Sequence, residues 1–231
     1  MYVFVSKKKQ YSESLRVGIL LALTGGFLDA YTYLCRGKVF ANAQTGNMVM
    51  FGISFLEGNI KDSFKYIVPI IAFAIGVFLA EIIRSKLLEH EKIHWRQGVL
   101  AIEIFLLIGV AFIPYDYIAN ILISLICAMQ VESFRKFHGN NYATTMCTGN
   151  LRSGTEKIVA FMKNRDKDYL KVASQYYFII IIFCFGAFIG GIFSLNIGRK
   201  SILISCIPLI IALIIMGYKN EKEEVLLVEK E

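Results

Sequence analysis

Charge is scarce in this sequence. Asp, Glu, Lys and Arg make up 19% of 231 residues against a hydrophobic share of 56%, and the mean hydropathy is +0.56. Soluble domains carry about 25% charge on an apolar fraction of roughly 45–50%, so the composition already leans towards the bilayer. Cysteine is present five times, as Cys35, Cys127, Cys147, Cys184 and Cys206, but never in CxxC spacing. Cys127, Cys184 and Cys206 fall inside apolar runs and read as packing residues. There is no Walker loop, no dinucleotide fingerprint and no nucleophile elbow, which argues against ATP-driven transport by this chain alone. The formal charge of +7 does not imply a nucleic-acid partner, because in such a chain the placement of Lys and Arg reports topology.

What the sequence does have is long apolar runs: Val17 to Leu34, Ile67 to Ile83, Val99 to Ile113, Ile118 to Val131, Tyr176 to Phe193 and Ile202 to Gly217. Most approach the ~20 residues a helix needs to cross hydrocarbon. The third and fourth are short, and one buried hairpin that does not cross is the alternative; Pro114 and Asp116 between them suit a tight turn joining two spans. Lys7 to Lys9 ahead of the first run resemble a secretory leader. With no small-residue cleavage site, and with Asp29 inside the run, an uncleaved first span is expected.

With six spans and the N-terminus inside, 19 of the 25 Lys and Arg fall on the cytoplasmic side and 6 outside. That asymmetry predicts cytoplasmic termini. An eight-span alternative, adding Phe40 to Phe55 and the stretch after Asn150, gives 15 against 10 and would place Arg152, Glu156 and Lys157 in lipid, where a central Arg or Lys costs roughly 2.5–3.5 kcal/mol.

The chain also repeats itself. Thr45-Gly46-Asn47 aligns with Thr148-Gly149-Asn150 at an offset of 103 residues, and the same offset sets Asp29 on Glu132. Further on, Phe73 to Phe78 matches Phe183 to Phe188. The expected architecture is an all-α integral membrane protein of six transmembrane helices in two three-helix repeats, each with a Thr-Gly-Asn loop and a short helix. Residues 1–16 would be a cytoplasmic segment, 17–113 and 114–218 the two repeats, and 219–231 a loose charged tail. Three spans per repeat is an odd number, so the second repeat enters from the opposite face, an inverted arrangement shared by many transporters. Both Thr-Gly-Asn segments are expected to dip inwards as re-entrant half-helices, with Thr as N-cap, Gly allowing close approach and Asn offering a donor and an acceptor.

The stretch Gly26-Phe27-Leu28-Asp29-Ala30-Tyr31, with Gly37, Val39-Phe40 and Gln44-Thr45-Gly46-Asn47 after it, resembles the YoaK-like bacterial membrane proteins, a family of uncharacterised function. Gln130 and Thr148-Gly149-Asn150 in the second half resemble the same pattern. The resemblance implies a six-span protein of the bacterial inner membrane and supplies no substrate. The second half departs from the first where Met129 and Gln130 replace Gly26 and Phe27, which weakens any strict functional symmetry.

The candidate pathway residues are Asp29, Gln44, Thr45, Gly46, Asn47, Gln130, Glu132, Thr148, Gly149 and Asn150. Intramembrane carboxylates serve by default as proton relays or cation ligands; the structural alternatives pair Asp29 with Arg36 or Lys38, and Glu132 with Arg135 or Lys136. Glu103, without a repeat counterpart, reads as reaching the interface towards Arg96. His90-Glu91-Lys92-Ile93-His94 satisfies a zinc-protease pattern but has neither a third ligand nor a sheltered position. The segment Lys163 to Lys171 is expected at anionic headgroups. The expected activity is a transporter or channel for a small solute or ion, without enzyme activity, metal or cofactor, its partners being the bilayer and that solute. A membrane-embedded lipid or isoprenoid enzyme and a non-transporting scaffold or sensor are the alternatives. Gly186, Gly190 and Gly191 suit close helix packing within the fold or in a homodimer.

Overall fold

The computed structural model describes residues 14–87, 95–137, 140–141, 145 and 147–228. The chain is helical almost throughout: α1 (Leu15–Cys35), α2 (Gln44–Leu56), α3 (Ile60–Leu87), α4 (Trp95–Val110), α5 (Asp116–Ser133), α6 (Cys147–Asn164), α7 (Lys167–Ile197) and α8 (Ile202–Val228). A 3-10 turn, Gly198–Ser201, joins α7 to α8. Among the described residues the one extended pairing is a two-residue ladder, with Lys136 opposite Asn141 and Phe137 opposite Asn140. It is a small departure from the all-α expectation.

The helix ends have local causes. Ser14 caps α1 by accepting from the Val17 amide, and Gly37 and Lys38, both at positive φ, turn the chain back after it. Asp166 caps α7, which stops at Gly198, again at positive φ. α8 continues to Val228 where a loose tail was expected, because Lys, Glu and Leu dominate that segment and are good helix formers. α3 and α8 each carry an internal proline, Pro69 and Pro208, a feature that membrane-spanning helices tolerate.

Three stretches are long and apolar enough to cross a membrane: Leu15–Cys35, Ile60–Lys86 and Lys167–Gly217, the last containing both α7 and α8. The outer surface agrees. Phe78, Phe105, Phe188 and Leu195 all lie more than 60% exposed, as side chains do when the surrounding solvent is hydrocarbon.

Helix packing crosses between the halves. α1 lies against α7, and α3 against α5; α2 folds back on α3, and α6 on α7; α1 also meets α8, while α4 meets α5 and α8. Glycines make the crossings close. A Cβ on Gly26 would sit 2.0 Å from the Phe183 carbonyl oxygen, one on Gly186 2.1 Å from that of Leu23, and one on Gly76 2.4 Å from that of Leu125. Gly76 and Gly186 are matched positions of the sequence repeat, and each presses onto the first helix of the other half.

Two polar networks mark opposite ends of the bundle. At one, Arg36 is fully buried and donates to the carbonyls of Val110 (3.0 Å) and Ile113 (2.9 Å), to Asp116 (3.2 Å) and to the Tyr31 hydroxyl (2.8 Å). Tyr31 donates in turn to the Arg199 carbonyl, and the Arg199 side chain reaches Asp116 at 3.0 Å. The end of α1, the α4–α5 turn and the α7–α8 turn are thereby tied together. At the other end Glu81, Arg84, Glu132 and Arg135 form an ion-paired cluster, and Arg96 donates to the Ser133 carbonyl. The end of α3, the start of α4 and the end of α5 meet there.

Candidate functional site

The first Thr-Gly-Asn segment is built from the loop that precedes it. After α1 the chain does not stay at the helix end. It runs back along α1, so that Asn42 donates from its side chain to the Gly25 carbonyl (3.2 Å) and from its amide to Asp29 Oδ1 (2.7 Å). Gly25 is the midpoint of α1, which at 1.5 Å per residue lies about 15 Å from either end. The Asp29 carboxylate is therefore met by backbone donors of the loop, those of Ala41 and Ala43 contributing beside Asn42. Neither Arg36 nor Lys38 is its partner, contrary to the structural alternative read from the sequence. Arg36 is engaged in the end network instead.

Asn47 clamps this loop to α2. Its Oδ1 accepts from the Phe40 amide (2.9 Å), and its Nδ2 donates to the Phe40 carbonyl (2.8 Å) and to Gln44 Oε1 (2.9 Å). Gln44 donates to the Ala41 carbonyl at 2.8 Å. A Cβ on Gly46 would stand 3.0 Å from the Phe40 ring, which stacks on Tyr33 with centroids 5.0 Å apart. The co-occurrence of Val39-Phe40 with Gln44, Gly46 and Asn47 is thus explained by one loop closure. The expectation that Thr45 caps the helix is corrected: α2 begins at Gln44 with Ala43 as N-cap, and Thr45 is exposed in the first turn. The loop is anchored by Asp29 and Asn47, so the helix starts without a hydroxyl cap.

The second segment arrives at the same depth. A Cβ on Gly25 would lie 2.4 Å from the Thr145 methyl and 3.5 Å from the Phe183 ring; Thr145 stands three residues before Thr148, and Phe183 is close to the middle of α7. Cys147, which opens α6, has Cys184 and Asp29 as electrostatic neighbours. Asn150 is buried, whereas Thr148 and Gly149 are exposed. From there α6 runs back along α7, with Gly154 against Tyr176 and Tyr177 and the hydroxyls of Thr155 and Tyr177 at 2.9 Å. A shallow hollow of about 540 Å³ on the outer face of α6 is lined by Thr148, Leu151, Arg152, Thr155, Glu156 and Val159.

The repeat-matched carboxylates occupy different settings. Asp29 sits at the meeting of the loops, while Glu132 belongs to the end cluster with Glu81, Arg84 and Arg135. The pairing of Glu132 with Arg135 is the structural reading made from the sequence, and Glu81 pairs with Arg84 beside it. Glu103 differs from its sequence reading: it is 2% exposed, and neither carboxylate oxygen has a hydrogen-bond partner among the described residues. Arg96, the expected partner, donates to Ser133. Gln130 is fully buried, and both amide heteroatoms lack partners in the same sense. Asn42 was missed by sequence reasoning, although its place two residues before the Gln44 motif could have pointed to it. The zinc-like motif at 90–94 and His138 lie outside the described residues, and no group of three His, Cys, Asp or Glu able to hold a metal is found among those described.

An all-helical bundle with an apolar exterior, and with helices long enough to cross a bilayer, defines a helical membrane protein. A family model described as a protein of unknown function (DUF1275) matches residues 17–215, and the chain belongs to that family. It is 31% identical over 182 residues to the UPF0700 transmembrane protein YoaK of Bacillus subtilis (strain 168), the match covering 74% of this chain and 79% of the relative. The resemblance read from the Asp29 and Thr-Gly-Asn motifs therefore holds. No solved structure matches.

Proposed function

We propose that the protein is a six-span transporter or channel of the bacterial inner membrane for a small solute or ion, its pathway running between two inverted halves, with both termini cytoplasmic. One observation carries the reading: Asn42 from the first loop and Thr145 from the second both lie against Gly25 at the midpoint of α1. Irregular backbone at such depth persists only where protein buries it or a polar pathway lines it. Half-helices that start in the bilayer centre and run outwards are how many carriers build a midplane site. α2, with 13 residues, is about 20 Å long, enough to return from the centre to one surface but too short to cross ~30 Å of hydrocarbon. The six-span, inverted arrangement is supported by the packing exchange, α1 on α7 and α3 on α5, and by the two end networks, which join helix ends that alternate along the chain.

A second reading, a non-transporting membrane scaffold, draws on a specific observation: Asp29 and Asn47 spend their polar atoms on the backbone of the 40–43 loop. Flux separates the two. In proteoliposomes loaded with a panel of labelled monovalent cations and small neutral solutes, the parent protein is expected to pass at least one species faster than empty vesicles. Asn47→Ala removes two bonds to Phe40, each worth about 1 kcal/mol, and leaves that backbone unpaired, so flux falls at least about tenfold. Parent flux at the empty-vesicle rate for the whole panel refutes the transport reading and favours the scaffold.

A further inference from the structure

Buried polar atoms in folded proteins almost always have hydrogen-bond partners, yet several on either side of one thiol have none among the described residues. Cys127 of α5 has Glu103 of α4 and Asp29 as electrostatic neighbours, and the side chain of Asn42 reaches it from the first loop. Glu103 Oε1 and Oε2 have no partner among the described residues; the same is true of Ser124 Oγ, Gln130 Oε1 and Asn42 Oδ1. Ser124 and Gln130 each stand three residues from Cys127, one helical turn to either side of it. All four residues are at least 94% buried. Three elements thus contribute five orphan oxygens to one region.

The chemistry of the set selects its occupant. Oxygen-only donors suit hard cations, not soft metals. Glu103 is the single carboxylate among the four candidate ligands, since the Asp29 oxygens are spent on the loop amides; one carboxylate among neutral oxygens suits a monovalent ion, whereas Ca²⁺ and Mg²⁺ sites gather several carboxylates or keep waters. A proton on Glu103 would satisfy one oxygen and leave the others as they are, whereas an alkali-metal ion draws on several at once. We propose that Glu103, Ser124, Gln130 and Asn42 form a buried site for a single alkali-metal cation, Na⁺ or K⁺, which is the transported or coupling ion. This assignment rests on the transport reading for its role, but not for the binding itself.

The full chain, purified in detergent, is melted in NaCl, KCl and choline chloride at equal ionic strength and at several pH values, with ²²Na⁺ and ⁸⁶Rb⁺ binding measured alongside. The expected result is a saturable rise in melting temperature with Na⁺ or K⁺ but not with choline, together with saturable binding of the matching isotope. Glu103→Gln abolishes both while melting as a folded protein in choline, and Gln130→Met weakens the apparent affinity by about tenfold, the equivalent of one lost ligand. If Glu103→Gln does not fold, Gln130→Met and Ser124→Ala decide by the same titration. Equal melting of the parent in all three salts, stabilisation by acid alone, or cation dependence that survives Glu103→Gln overturns the site. Cation binding without flux leaves this site standing and removes the transport reading; flux unchanged by Glu103→Gln removes the bound cation's role as transported or coupling ion.

Discussion

Replacing Arg36 with alanine is expected to destabilise the protein by about 3–5 kcal/mol, the range seen when one partner of a buried charged network is removed. The reason lies in what the guanidinium holds. Its bonds reach the carbonyl of Val110, the last residue of α4, which also accepts from the Ile113 amide, and the carbonyl of Ile113 in the turn that follows, and its positive charge sits at the negative end of that helix dipole. It also joins Asp116 and Tyr31, and through them Arg199. Three connections between helices therefore loosen together. For a chain of this size the melting midpoint in detergent should fall by about 10 °C. Arg36→Lys should rescue little of it, because an ammonium cannot present the planar fork that reaches two carbonyls and a carboxylate at once. A variant melting within a degree or two of the parent would remove Arg36 from the account.

The second large effect belongs to the glycines between the halves. Gly186→Val and Gly76→Val each place carbon against a backbone carbonyl, Leu23 and Leu125 respectively, at 2.1 and 2.4 Å. Backbone on both sides cannot yield as the end of a side chain could, so each substitution should cost about 3 kcal/mol or more and reduce the yield of monodisperse protein on size-exclusion chromatography. Gly52→Ala in α2 is the control. Nothing lies within 4 Å of its Cβ position, and alanine there should be neutral or stabilising by up to about 1 kcal/mol. Equal yields for all three variants would mean that the α1–α7 and α3–α5 approaches are not tight.

These two predictions also show where the sequence was legible. The apolar runs located α1, α3, α4, α5, α7 and α8, and three stretches of them are long and apolar enough to cross a membrane, a property that composition records directly. The repeated Thr-Gly-Asn marked the starts of α2 and α6, and the matched Gly76 and Gly186 proved to be close-approach points. Roles were less legible, since a motif names residue types and not their partners. Asp29 and Glu132 align in sequence, yet one accepts from a loop that folds back 13 residues later and the other joins an ion-paired cluster at a helix end. Thr45 looked like a cap because caps favour hydroxyls, but long-range anchoring by Asp29 and Asn47 fixed the helix start instead. Arg36 was read as an alternative partner of Asp29, and the tertiary meeting of three turns makes it a buried hub instead. Glu103 looked like an interfacial residue because its apolar run begins only at Val99, whereas α4 starts at Trp95 and holds Glu103 mid-helix, beside α5 and α8.

The depth of the two loops tests the central claim most directly. With the five native cysteines replaced, single cysteines at Thr45 and Thr148, both exposed and so able to carry a label, are spin-labelled in lipid nanodiscs. Their accessibilities to oxygen and to a water-soluble nickel complex are then compared. Loops that meet beside Gly25 place both labels about 10–15 Å below the headgroups, near the middle of a ~30 Å hydrocarbon layer, with oxygen the stronger relaxant at each. A nickel-dominated signal from either label, putting it at the membrane surface, would contradict the convergence of the two halves.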